Sequence, residues 1–158
     1  MEVYHGSYVK IVNPDIELSR SCVDFGKGFY VTPFKEQAQS WSKRFEKRKQ
    51  KGIVSIYEMD IEKCKAKYAV LEFTSHSEEW IDFVTACRME QDDSKYDIVI
   101  GGVANDKVFN TIELYLEKLI DKKEAIKRLS YEKPNLQICI RNQEVLDNYL
   151  QFLESEEV

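Results

Sequence analysis

A glycine-flanked turn that runs directly into an aromatic strand and then a helix constrains this chain most: residues 25 to 41 read Phe-Gly-Lys-Gly-Phe-Tyr-Val-Thr-Pro-Phe-Lys-Glu-Gln-Ala-Gln-Ser-Trp. Gly26 and Gly28 permit close backbone approaches that a side chain would block. Phe29, Tyr30 and Val31 have the aromatic or β-branched character of a short strand. Thr32 is suited to cap a helix whose first position is Pro33. Such a junction serves equally well as core or as one wall of a pocket for a flat, polar ring, and the residues upstream separate the two.

Around this junction the apolar pattern predicts one α+β domain spanning residues 1–158, since a chain of this length that is 43% hydrophobic suits a single core. Strands are expected at Val3 to His5, Gly28 to Val31, Ile53 to Met59, Tyr68 to Phe73, Tyr96 to Ile100 and Leu136 to Ile140. Helices are expected over Pro33 to Arg48, where Phe34, Ala38, Trp41 and Phe45 form an apolar stripe, and around Trp80 to Cys87 and Val108 to Leu119. A short helix over Asp121 to Leu129, a break at Lys133-Pro134 and a last helix from Gln143 to Leu153 complete the pattern. The acidic end Glu154-Ser155-Glu156-Glu157 reads as a solubilising tail, and Asp82 with Arg88 as a structural pair on one helix.

Several function classes are disfavoured. The formal net charge of −5 does not suggest a broad cationic surface, although Lys43, Arg44, Lys47, Arg48, Lys49 and Lys51 cluster locally, as a solvated face or a site for a phosphate-bearing partner. Cys22, Cys64, Cys87 and Cys139 lack C-x-x-C spacing and the two histidines add no ligand pair, so no metal is expected and the thiols read as reduced. Tyr96 to Gly102 reads as a buried strand ending in a turn, because it lacks the G-x-G-x-x-G fingerprint. The absence of a basic-plus-apolar leader, or of an apolar run near the roughly 20 residues a membrane helix needs, points to a cytoplasmic protein without membrane contact.

The chain begins Met-Glu-Val-Tyr-His-Gly-Ser. His5-Gly6-Ser7 together with Gly26-Lys27-Gly28-Phe29-Tyr30 resembles the ADP-ribosyltransferase superfamily, in its diphtheria-toxin-like and poly(ADP-ribose)-polymerase-like branch with a His-Tyr-Glu signature. The whole chain also resembles a small bacterial family of unassigned function. The first resemblance implies a split mixed β-sheet core with flanking helices and an activity that transfers ADP-ribose from NAD, a substrate, to a protein or nucleic-acid acceptor. It further implies that Gly6 holds the nicotinamide carboxamide, that His5 bonds a ribose hydroxyl with Ser7 assisting, and that Tyr30 stacks on the nicotinamide. Gly28 belongs to the same turn. Trp41 aligns with the second stacking aromatic, while its place in the helical stripe gives it a competing role in the core.

The third signature position departs from the pattern. Gln137, in Leu136-Gln137-Ile138-Cys139-Ile140, stands where the resemblance implies glutamate, and its amide carries no charge to steady an oxocarbenium ion or deprotonate an acceptor. Chain extension is therefore disfavoured, and mono-ADP-ribosylation of an already nucleophilic acceptor is expected; a non-catalytic NAD or ADP-ribose binding module, an NAD glycohydrolase and a structural role for Gln137 stand beside it. Arg20, before the glycine turn, suits the NAD pyrophosphate because guanidinium binds phosphate bidentately. Asp24, Asp97 and Asp106 show no feature that separates catalysis from capping. By family analogy, toxin-like transferases of this size imply an antitoxin-like partner.

Overall fold

The computed structural model describes residues 1–129 and 135–158, so the expected break at Lys133-Pro134 lies outside the described residues. In chain order the elements are β1 (Glu2–Ser7), β2 (Phe29–Val31), α1 (Lys35–Ser42), β3 (Ile53–Met59), α2 (Ile61–Lys67), β4 (Val70–Glu72), α3 (Glu78–Arg88), β5 (Ile98–Gly101), α4 (Asp106–Leu116), α5 (Lys122–Leu129), β6 (Gln137–Ile140), α6 (Gln143–Tyr149) and β7 (Leu150–Glu157). Short 3-10 turns lie at Ile16–Leu18 and Lys43–Arg48. The fold is α+β with mixed sheets.

The strands form two sheets, one in the order β1-β3-β7 and one in the order β2-β6-β5-β4. All pairings are antiparallel except β4 with β5. Among the described residues a single bridge joins the sheets: the Tyr4 amide donates to the Thr32 carbonyl at 2.8 Å and the Thr32 amide returns a bond to Tyr4 at 2.9 Å. Beyond it β1 and β2 share no ladder.

Alternation along the strands distributes side chains between cores. Phe29, Val31, Ile98, Ile100, Ile138 and Ile140 share one cluster with Val3 and Tyr57. Their neighbours Val99 and Cys139 face the other, built with Trp80, Ile81 and Val84 of α3 and Val108 and Ile112 of α4. A sheet covered on both faces explains why β5 and β6 read as continuous apolar runs. Side-chain caps fix helix starts: Ser77 accepts from the Trp80 amide, Asn105 from Val108 and Asp60 from Lys63.

Four expectations are corrected. Thr32 is held in the bridge and its hydroxyl accepts from the Phe34 amide at 3.1 Å, so Phe34 takes the cap position without a side-chain bond and α1 begins at Lys35. The expected continuous helix to Arg48 gives way at Lys43 to a 3-10 turn that ends at Lys49, whose φ is 58°. Phe34 and Trp41 are exposed and leave Ala38 as the buried member of their stripe. Helix α2, capped by Asp60, occupies a stretch given no element from the sequence.

The chain end differs most. The last helix stops at Tyr149, and β7 runs through the acidic residues as the edge of the first sheet. Phe152 packs edge-on against Tyr57 at 5.8 Å between centroids. Lys35 pairs with Glu156 and Lys51 with Glu157, so cations neighbour the carboxylates of what is a strand, not a tail. Phe152→Ala is expected to lower unfolding stability by about 2 kcal/mol, less than the roughly 3–5 kcal/mol of a fully buried aromatic because Phe152 is half-buried. Urea denaturation checks this; unchanged stability would return these residues to the role of a tail.

Candidate functional site

The site is built where the two sheets part. Just past the Tyr4–Thr32 bridge, His5 Nδ1 lies 2.7 Å from the Tyr30 carbonyl oxygen. A carbonyl only accepts, so Nδ1 carries the proton and Nε2 keeps its lone pair. The imidazole stacks on Phe29 at 4.5 Å, and burial lowers the His5 pKa against the opposing effect of the Tyr30 carbonyl. His5 is thus a neutral ring wedged into the seam, taking the place of further backbone pairing.

Gly6 is required by packing. A Cβ there would overlap the Ala38 carbonyl of α1, so the helix lies directly on β1 at this residue. Ser7 is buried and its hydroxyl accepts from the Val9 amide at 3.4 Å. Gly28 has a comparable reason: a Cβ would stand 2.6 Å from Cys139 Sγ and 2.7 Å from the Ile140 carbonyl, which keeps β2 close against β6. Gly26, at φ +75°, makes the turn itself.

Tyr30 shapes that turn. Its hydroxyl donates to the Gly26 carbonyl at 2.6 Å and accepts from the Phe25 amide at 3.0 Å, and burial pushes the phenol well above its ordinary pKa. Because Phe29 and Tyr30 are consecutive in a strand, their side chains leave opposite faces. His5 stacks with Phe29, and the Tyr30 ring packs with the α3 and α4 core. The structure therefore brings His5 to the backbone of Tyr30 and not to its ring.

Gln137 begins β6 on the Tyr30 side of the sheet. Its Nε2 donates to Asp24 Oδ2 at 3.0 Å and to the Gly102 carbonyl at 3.3 Å. Asp24 also accepts from Arg88 Nη2 at 2.5 Å and from the Ala104 amide at 3.0 Å. Arg88 therefore pairs with Asp24, while Asp82 pairs with Lys122, which corrects the expected Asp82–Arg88 pair. Gln137 is buried, and its amide nitrogen is thereby committed to Asp24 and Gly102.

The remaining candidates lie around this frame. Arg20 is exposed beside Ser19, whose hydroxyl accepts from the Gly28 amide at 3.0 Å, so the loop carrying Arg20 is fastened to the glycine turn. Trp41 is 40% exposed, with the Arg44 guanidinium 4.4 Å from its ring centroid. This exposure removes the core role expected from the helical stripe. A separate open cleft of about 690 Å³ lies near Lys27, Asp92 and Arg141; neither His5, Tyr30 nor Gln137 lines it. Within it Arg141 is held by Asp92 in an ion pair of 2.7 Å.

A family model described as a protein of unknown function (DUF3990) matches residues 1–152. The chain belongs to the DUF3990 family. Comparison with curated proteins and with solved structures found no match. The family match spans every strand that carries a candidate residue in this DUF3990 protein, and includes the first residues of β7. Among the described residues no group of histidine, cysteine and carboxylate side chains is arranged to hold a metal, and no helix is long and apolar enough to cross a membrane.

Sequence reasoning passed over the role of Asp24 and Arg88, because nothing local signals a bond between residues so far apart. Gln137→Glu would place a carboxylate against Asp24; it is expected to cost about 1–3 kcal/mol at neutral pH and to recover as acid protonates the pair. Equal stability at every pH would remove Gln137 from this network. His5 supplies a second test. Its folded pKa lies below the ordinary 6.5, so its contribution is complete above about 6.5 and falls as pH drops towards the depressed value. Urea titrations at neutral and mildly acidic pH should show a smaller acid loss for His5→Gln than for the parent; parallel losses would place the imidazole in water.

Proposed function

We propose that this protein binds NAD across the seam between β1 and β2 and transfers a single ADP-ribose to a macromolecular acceptor. The observation that carries the reading is the succession of His5, Tyr30 and Gln137 on β1, β2 and β6, strands that are consecutive neighbours through the bridge and the β2–β6 ladder. Three positions far apart in sequence thus occupy adjoining strands. A split mixed-sheet core of the transferase type is part of the same proposal.

In this reading the neutral His5 bonds a ribose hydroxyl, Gly6 receives the nicotinamide carboxamide, Trp41 covers the ring, and Arg20 meets the pyrophosphate. Tyr30 works chiefly by fixing the turn, since both bonds of its hydroxyl are made within the protein. The bond between ribose C1′ and the nicotinamide nitrogen breaks with its electron pair going to nicotinamide, which leaves neutral. An acceptor lone pair then bonds C1′, and the acceptor's proton passes to solvent. Gln137 brings no charge to the reaction, so positioning supplies the acceleration. The engagement of Gln137 with Asp24 favours, as a second reading, a module that binds NAD or ADP-ribose without turnover.

Incubating the protein with labelled NAD and a cell lysate tests the proposal. Label retained on macromolecules, and lost with His5→Ala, is expected. Free ADP-ribose alone would identify a hydrolase, intact but bound NAD a binding module, and intact unbound NAD would remove both readings.

A further inference from the structure

The basic turn that follows α1 is a surface in its own right. Residues 43 to 51 hold six cations against the lone carboxylate of Glu46 in a protein whose formal net charge is −5. Lys43, Lys47, Arg48 and Lys49 are exposed and form no ion pair among the described residues, whereas Lys51 is engaged with Glu157. Aromatic rings lie among these charges. Tyr8, 46% exposed, meets the half-buried Phe45 at 5.2 Å, and the Arg44 guanidinium carbon lies 4.4 Å from the Trp41 ring centroid.

The patch adjoins the seam by direct contact. Tyr8 follows Ser7 at the end of β1, and Gly6 lies beneath the Ala38 to Ser42 backbone that leads into the basic turn. Cations that track phosphates, combined with exposed rings on which unpaired bases stack, are the two elements of a single-strand binding surface. A duplex would satisfy the charges but hide its bases from Tyr8 and Phe45. The negative charge carried by the rest of the molecule restricts such binding to this face.

We propose that the surface formed by Tyr8, Lys43, Phe45, Lys47 and Arg48 binds single-stranded nucleic acid and presents it to the seam as the acceptor. The inference rests on the transferase reading for its purpose and on the patch alone for binding. Transfer would join ribose C1′ to an oxygen or nitrogen of the nucleic acid, with nicotinamide leaving neutral and the displaced proton going to solvent.

Fluorescence anisotropy with a labelled single-stranded oligonucleotide, in the absence of NAD, reads binding directly. Affinity is expected to fall with salt, with a log–log slope of about −2 to −3 for three or four neutralised phosphates. The combined Lys43→Ser, Lys47→Ser and Arg48→Ser variant should flatten that slope, and Phe45→Ala should weaken binding about tenfold at fixed salt. Circular dichroism confirms that each variant is folded; for Phe45→Ala, which also removes a packed ring, Tyr8→Ser provides the second test of stacking. Absence of binding at low salt, equal binding of polyglutamate, equal binding of duplex, or displacement by ADP would each overturn the proposal. Oligonucleotide binding without label transfer from NAD would keep this surface and overturn the transferase reading; label transfer without oligonucleotide binding would do the reverse.

Discussion

Two backbone hydrogen bonds between Tyr4 and Thr32 hold the architecture together at its narrowest point. Without that bridge β1-β3-β7 and β2-β6-β5-β4 share no backbone hydrogen bond among the described residues. With it, Val3 of one sheet and Val31 of the other enter a common core. The bridge also determines where the sheets part, and His5 occupies that point with one nitrogen bonded to the Tyr30 carbonyl. The ladder ends because a side chain replaces it, and a seam lined by backbone polar groups is the result.

The glycines around the seam serve different ends. Gly26 supplies a left-handed turn, Gly28 allows β2 to lie against Cys139, and Gly6 lets α1 rest on β1. Burial raises the thiol of Cys139 to about 12, so it behaves as a small apolar group between these elements. Behind them, Asp24 gathers Arg88, Ala104 and Gln137, which fixes the start of β6 relative to the loop before the glycine turn. Removing one member leaves charged or polar partners unsatisfied in a buried place.

Most strands and the helices of the second core were legible because their apolar spacing is also their burial pattern. Trp80, Ile81 and Val84 on α3 and the run from Ile138 to Ile140 on β6 illustrate this. The chain end was not legible: Val145, Leu146, Tyr149, Leu150 and Leu153 fit a helical spacing, and glutamates have little preference for strands. Pairing with β3 and the placement of Lys35 and Lys51 override that local preference. At the site, the proximity of the His5 and Tyr30 segments was an implication of the resemblance, and the contact made is with the Tyr30 backbone. The sequence could not reveal that the Tyr30 hydroxyl is committed to the turn, or that Gln137 holds Asp24, because both depend on which face each strand presents.

The seam is the centre of this account, and a crystal structure with nicotinamide bound examines it most directly. The ring is expected to lie against β1 with its carboxamide on the Gly6 backbone, close to Trp41 and to His5. Nicotinamide seated instead in the cleft beside Asp92 and Arg141, with the seam unchanged, would contradict it.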